Sequence, residues 1–348
     1  MSGDGIDADL AAGLPWHAPL PWHAAPLRRL LAERAQFPHA LLIHGRPGIG
    51  KLAFALNLGL GLLCEAPAAA ERPCGTCPGC RYAQAGQHPD LLRIELVVPD
   101  DEGGWKKVEN VAIDRIRGLI EFVQLSSHRR VGKVAVICPA ERMQAPAANA
   151  LLKTLEEPPP STYLLLVADQ PGRLPPTILS RCRRIAAPQP TPEEALAWLA
   201  GQGIADPELP LAQAGGAPLR ALEIAAELPA AERRHWLDAL AQPARMSVLA
   251  LGARIDALPK ELRRQGLALA IEWLLGWCSD VARVAAGGAV RRNPDFAAAI
   301  AALAPRVAPL ALFRYHRTLV RQRALLAHPL QPRLVAEALV ADYKELFG

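Results

Sequence analysis

The 348-residue sequence has no uninterrupted apolar run near the roughly 20 residues that cross a bilayer, although 51% of it is hydrophobic. Arg, Pro and Gly break up its apolar stretches, so no membrane span is expected. Met1-Ser2-Gly3-Asp4-Gly5 lacks a basic region followed by an apolar segment, so no signal peptide is expected and a cytoplasmic location follows by default. Charge of one sign is scarce too. A net +5 spread along the chain, most of it arginine, is a weak basis for direct nucleic-acid binding. Disulfides are not expected among seven cysteines in a compartment that keeps thiols reduced. The length allows two or three domains with sizeable cores.

What is present is organised around Gly45-Arg46-Pro47-Gly48-Ile49-Gly50-Lys51-Leu52, which follows the apolar Leu41-Leu42-Ile43 and precedes Ala53-Phe54-Ala55-Leu56. This order reads as strand, phosphate loop and helix. Gly45, Gly48 and Gly50 would let backbone N–H groups turn toward a phosphate, the helix start adds a positive dipole end, and Lys51 would reach the outer phosphates. The pattern expects Ser or Thr after the lysine as a magnesium ligand, and Leu52 has no oxygen to offer. A second part is also missing. Val134-Ala135-Val136-Ile137-Cys138 reads as a central parallel strand covered on both faces. Where a hydrolysing enzyme would carry adjacent acids beyond it, this chain has Cys138-Pro139. Glu141 reads as an exposed carboxylate at a helix start. ATP binding without hydrolysis is compatible with these residues, and so is a loop kept for packing alone.

Four of the cysteines, Cys64, Cys74, Cys77 and Cys80, have the spacing C-x9-C-x2-C-x2-C. Two-residue gaps let neighbouring thiolates converge on one ion, and four sulfurs complete a tetrahedral zinc shell with no open position. A closed shell is structural rather than catalytic. Reduced thiols or an iron–sulfur cluster are the alternatives. His88 reads as a loop residue rather than a ligand, and Cys138, Cys182 and Cys278 as small buried residues.

The tandem Pro15-Trp16-His17 and Pro21-Trp22-His23 reads as a strap packing its tryptophans on the domain. An amphipathic helix through Leu27, Leu30 and Leu31 stops near Pro38, and another runs from about Lys51 to Cys64. Residues 91–96 read as a strand, 100–104 as a loop, and the stretch from Ile113 as a helix.

Two longer segments are the most specific. Asn149-Ala150-Leu151-Leu152-Lys153-Thr154-Leu155-Glu156-Glu157-Pro158-Pro159 is a helix stopped by a proline pair. After the buried strand Tyr163–Val167 comes Leu174-Pro175-Pro176-Thr177-Ile178-Leu179-Ser180-Arg181-Cys182. Together they closely resemble the clamp-loader branch of the AAA+ ATPases, strongly over residues 20 to 190 and weakly beyond.

The resemblance implies an α/β fold. A RecA-like parallel-sheet domain with a zinc-binding insert (1–187) would be followed by a small helical lid (188–242) and an all-α collar (243–348). It implies a role in DNA replication, within the sliding-clamp loader of the DNA polymerase III holoenzyme. Gamma or tau ATPase subunits and a delta subunit would complete a five-subunit ring, with the sliding clamp and primer-template DNA met through the complex. The defects at Leu52 and Cys138-Pro139 fit a member that is no enzyme on its own, against the alternative of an active gamma- or tau-like ATPase. A zinc-dependent nucleic-acid-binding module is a third reading, disfavoured because no basic or aromatic cluster is present. The resemblance gives Arg181 the role of an arginine finger, facing ATP bound by a neighbouring subunit.

Thr191-Pro192-Glu193-Glu194 combines an N-cap, a first-turn proline and a capping-box glutamate, so a new helical domain begins there. Gly215–Leu222 resembles the family segment bearing a second nucleotide-sensing arginine, but Arg220 is displaced by one position and reads as a solvated helix residue. From about residue 243 the pattern is helical, with breaks at Pro259, Gly287-Gly288 and Pro305. Arg314, Arg317 and Arg321 share one face of a late helix and would either pair with a neighbour or face water.

Overall fold

The computed structural model describes residues 16–99, 105–227, 230–326 and 331–348. The chain divides into two compact units, Met1–Glu194 and Ala195–Gly348.

The first unit begins with α1 (Ala24–Ala32) and β1 (Ala40–His44), then α2 (Lys51–Leu63) and α3 (Pro78–Gln84). It continues through β2 (Leu91–Ile94), β3 (Val97–Pro99), β4 (Trp105–Lys107), α4 (Ile113–Gln124) and β5 (Lys133–Ile137). Helix α5 (Ala145–Glu156), β6 (Thr162–Ala168), α6 (Pro176–Leu179) and β7 (Arg183–Ala186) complete it. Five strands form a parallel sheet in the order β2-β5-β6-β1-β7. The strands of its middle read as apolar runs because helices cover both faces: β5 is buried throughout, and β6 at all but Tyr163.

Helix α2 is buried at every position but Leu52, which explains its nearly all-apolar sequence. A Cβ on Gly59 would stand 2.9 Å from Val134 Cγ1, so glycine lets this helix lie close on β5. On the sheet's other face Ile116, Leu119 and Val123 of α4 join Leu151 and Leu155 of α5 in one core.

The expected strand over 91–96 is shorter than its sequence suggested. Strand β2 ends at Ile94, where Cys138 N–H donates to its carbonyl (2.8 Å), and the chain turns into an antiparallel ribbon pairing Val97 with Lys107. At this point the buried Arg93 donates to Glu95 Oε1 from Nε at 3.0 Å and from its terminal nitrogen at 2.6 Å. The expected loop at 100–104 lies outside the described residues.

The second unit is helical: α7 (Pro192–Gly201), which starts in the first unit, α8 (Glu208–Gln213), α9 (Pro218–Glu227), α10 (Ala230–Ala241), α11 (Val248–Asp256), α12 (Arg263–Ala285), α13 (Ala297–Leu303), α14 (Pro309–Leu325) and α15 (Pro332–Glu345). Thr191 N–H donates to Glu194 Oε2 (2.9 Å) and Glu194 N–H to Thr191 Oγ1 (3.2 Å), the reciprocal capping read from the sequence. A small apolar cluster holds Ala195, Leu199, Leu211 and Ala221, and a larger one is centred on Trp236, Trp277, Leu319 and Tyr343.

In the larger core Trp277 Nε1 donates to Tyr343 Oη (2.8 Å), which donates to the Leu240 carbonyl (2.9 Å). Tyr343→Phe removes both bonds and leaves a buried indole N–H unpaired, at a cost of about 1–3 kcal/mol. Urea unfolding is expected to show a lower midpoint at unchanged slope, and an unmoved midpoint would remove this relay from the account of stability.

Candidate functional site

The phosphate loop leaves β1 at the carboxyl edge of the sheet, where ligands of open α/β sheets bind. Gly45 N–H donates to the Ala168 carbonyl at the end of the neighbouring β6 (3.3 Å). Gly50 is the residue before α2 and has φ of +89°, a conformation glycine adopts without a Cβ clash. Gly45, Gly48, Gly50 and Lys51 therefore form the strand-loop-helix unit expected of them.

The loop is occupied by its own chain. Lys51 is only 6% exposed, and its Nζ donates to the Arg46 carbonyl (2.7 Å) and pairs with Asp169 Oδ1 (2.5 Å). From the other side the segment Leu20–His23 packs on the loop. Trp22 Nε1 donates to the Ile49 carbonyl (3.0 Å), and His23 meets the Phe54 ring edge to face at 5.3 Å. A Cβ on Gly50 would collide with Leu20 Cδ1 and stand 3.2 Å from the His23 ring. Burial lowers the His23 imidazole to about 4, so it is neutral at physiological pH. Trp22 thus packs as the strap reading expects, whereas Trp16 is only half-buried and Pro15 lies outside the described residues; Leu20 and His23 reach the phosphate loop itself.

Beyond β5, which ends at Ile137, stands Cys138-Pro139, where the sequence reading looked for adjacent acids. Cys138 is half-buried, unlike Cys182 and Cys278, which are buried as expected; its thiol is pushed up, mainly by desolvation and then by the carboxylates Glu95, Asp169 and Glu141, with Lys51 opposing. Glu141 departs from its sequence reading. Instead of standing free, its Oε1 accepts N–H bonds from Asp169 (2.8 Å) and Gln170 (3.0 Å), tying the turn after β6 to the turn after β5.

The four cysteines at the end of α2 and around the start of α3 converge. All four sulfurs lie within 4.8 Å of one another, with Cys64 to Cys77 at 4.0 Å and Cys74 to Cys80 at 3.9 Å. A tetrahedron of about 2.3 Å zinc–sulfur bonds has edges of about 3.8 Å. Backbone N–H groups of Cys74, Cys77 and Cys80 point at sulfurs at 3.3–3.4 Å, an arrangement that favours thiolates. This donor set could hold a metal ion. His88 lies outside it and accepts the Asp90 N–H at Nδ1 (3.0 Å).

Arg181 follows α6 and is 32% exposed. Its Nε donates to Glu156 Oε1 (2.8 Å), its terminal nitrogens reach Glu156 and the Thr177 carbonyl (3.0 Å), and Ser180 Oγ lies at 3.4 Å. Both segments that carried the family resemblance thus meet in one ion pair.

A family profile described as DNA polymerase III, delta subunit, matches residues 25–191. The delta-prime subunit of DNA polymerase III from Pseudomonas aeruginosa is 36% identical over 73% of this chain and 74% of its own length. The chain belongs to the DNA polymerase III delta-prime family. The tau subunit from Salmonella typhimurium is 40% identical over 41% of this chain and 21% of its own length. A crystal structure of a gamma subunit-related protein from Thermotoga maritima covers 94% of this chain and 100% of its own, with a TM-score of 0.41 and 19% identity.

Set against this family, two residues were missed in the sequence. Asp169 and Glu156 are ordinary surface acids by local pattern. The signal for Asp169 is the sheet order: pairing of His44 with Ala168 puts the residue after β6 beside the phosphate loop. Arg220 also differs from its reading, since it is bridged to Glu223 (2.8 Å) and to Glu272 of α12 (2.7 Å). Among the described residues no single helix is long and apolar enough to cross a membrane.

Proposed function

We propose that this delta-prime family member is a non-hydrolysing subunit of the sliding-clamp loader in DNA replication. It would assemble with gamma or tau ATPase subunits and a delta subunit in a five-subunit ring and present Arg181 to nucleotide on a neighbour. The observation that carries the reading is the state of its own phosphate loop: Lys51 is paired with Asp169, and β5 leads into Cys138-Pro139 in place of carboxylates. Magnesium needs oxygen ligands, and Leu52 and Cys138 supply none. Such a chain has no catalytic turnover of its own and belongs to the polymerase holoenzyme as a part.

Domain bounds of 1–187, 188–242 and 243–348 suit this role; a small apolar cluster over 195–221 supports a lid, but Trp236, Leu237 and Leu240 of α10 lie in the larger core, so α10 packs with the collar. Helix α14 offers the collar a surface for partners. Opposite its buried Leu312, Tyr315 and Leu319 it exposes Leu310, Phe313 and Val320 beside Arg314, Arg317 and Arg321. No residue of α14 is acidic, and no carboxylate pairs with those arginines among the described residues. A neighbouring helix with apolar and acidic residues would complement it.

We assign the four-cysteine site to structural zinc. Cys64, Cys74, Cys77 and Cys80 would hold the ion and so fix the segment after α2. No step of catalysis passes through it.

The isolated chain is expected to release no phosphate from ATP above background in the presence of magnesium, and in a separate co-expression to purify together with gamma or tau. Sustained turnover that follows the protein through its last column would replace this reading with that of an active ATPase.

A further inference from the structure

We propose that Asp169 is the residue that closes the phosphate loop to nucleotide, by placing its carboxylate on Lys51 where an outer phosphate would be received. The inference rests on the reading of the chain as non-hydrolysing and goes beyond it: lack of turnover needs only a missing magnesium site, whereas closure concerns binding.

The pairing distance is 2.5 Å, and Lys51 is withdrawn from solvent, with its ammonium also donating to the Arg46 carbonyl at 2.7 Å. A phosphate would have to displace a carboxylate already fixed in place. That fixing comes from Glu141, whose Oε1 holds the N–H groups of Asp169 and Gln170 and so sets the turn that aims Asp169 at the lysine. Sheet register supplies the approach, since β6 lies beside β1 with Ala168 paired to His44.

The charges around the loop act in the same direction. Of the carboxylates that bear on Cys138, Glu95 is paired with Arg93, which leaves Asp169 and Glu141 beside the ammonium of Lys51. A nucleoside diphosphate would bring further negative charge to a place where carboxylates already outnumber the lysine, a repulsion that water at the 39%-exposed Asp169 screens in part. The strap closes the loop from its other side, because Leu20 and His23 stand where any side chain on Gly50 would lie. Asp169 differs from the strap in being a direct competitor: it satisfies the group that a nucleotide would need.

The test is a titration of the full-length chain with fluorescent ADP and magnesium, comparing wild type, Asp169→Asn, Asp169→Thr and the double variant Asp169→Asn with Lys51→Ala. Circular dichroism and melting identify folded variants, and two replacements at 169 guard against failure of one. Wild type is expected to bind very weakly. At least one folded single variant is expected to bind about tenfold tighter or more, and the gain to disappear when Lys51 is also removed. Tight binding by wild type, single variants no tighter than wild type, or a gain that survives loss of Lys51 would each overturn the inference. Phosphate release measured on the same wild-type sample separates the two ideas. Turnover sinks the non-hydrolysing reading, whereas binding without turnover sinks only the closure by Asp169.

Discussion

Arg181→Ala is expected to slow ATP hydrolysis at the adjoining subunit by roughly 10³-fold, the lower end of what arginine fingers contribute in other NTPases. The measurement is DNA-stimulated phosphate release by a reconstituted loader in which the other ATPase sites are disabled, so that one boundary is read alone. A guanidinium suits this task because it is planar, always charged and able to give two parallel hydrogen bonds to phosphoryl oxygens. Lysine lacks that fork, so Arg181→Lys is expected to recover little of the rate. In the free chain Arg181 is held by Glu156, Thr177 and Ser180. This pair is partly exposed, at 32% and 48%, so its loss costs about 0–1 kcal/mol and the subunit still assembles. An unchanged rate in a correctly assembled ring would remove Arg181 from the mechanism.

Stripping metal from the four-cysteine site is expected to lower the melting temperature of the first unit by about 10 °C or more, while the helical core around Trp277 and Tyr343 keeps its own transition. The scale follows from structural zinc, whose binding energy is folding energy, and from the roughly 2–4 °C per kcal/mol of domains this size. Cys74→Ser leaves the N-cap of α3 intact, since that cap is Cys77 accepting the Cys80 N–H, while Cys74 accepts the Cys77 N–H outside the helix (3.3 Å). About one zinc per native chain is expected by metal analysis, with the four thiols becoming titratable after chelation. A metal-free preparation with unchanged melting would exclude the site, and visible absorption with bound iron would assign it to a cluster instead.

Much of this was legible because it depends on residues close together in the chain. The glycines and lysine of 45–51, the spacing of Cys64, Cys74, Cys77 and Cys80, the cap at Thr191 and the missing oxygens at Leu52 and Cys138 are local patterns. Turn geometry and helix period convert such patterns directly into structure. Glu141 was misread for the opposite reason. Its helix-start position was visible, but its partners, the N–H groups of Asp169 and Gln170, lie one crossover away. Arg220 was misread in the same way, since Glu272 belongs to a different helix.

The sequence by itself determined that a glycine-rich stretch of phosphate-loop pattern is present, that neither Leu52 after its lysine nor Cys138-Pro139 after β5 offers a side-chain oxygen, and that four sulfurs are spaced to share an ion. Only the tertiary structure decided what the loop does with its lysine. Parallel pairing of β1 with β6 delivers Asp169 to Lys51, the strap lays Leu20 and His23 over Gly50, and the turn after α6 brings Arg181 to Glu156. Each contact joins segments remote in sequence. Its partner is set by strand order and close approach, and neither carries a signature within a short stretch of residues.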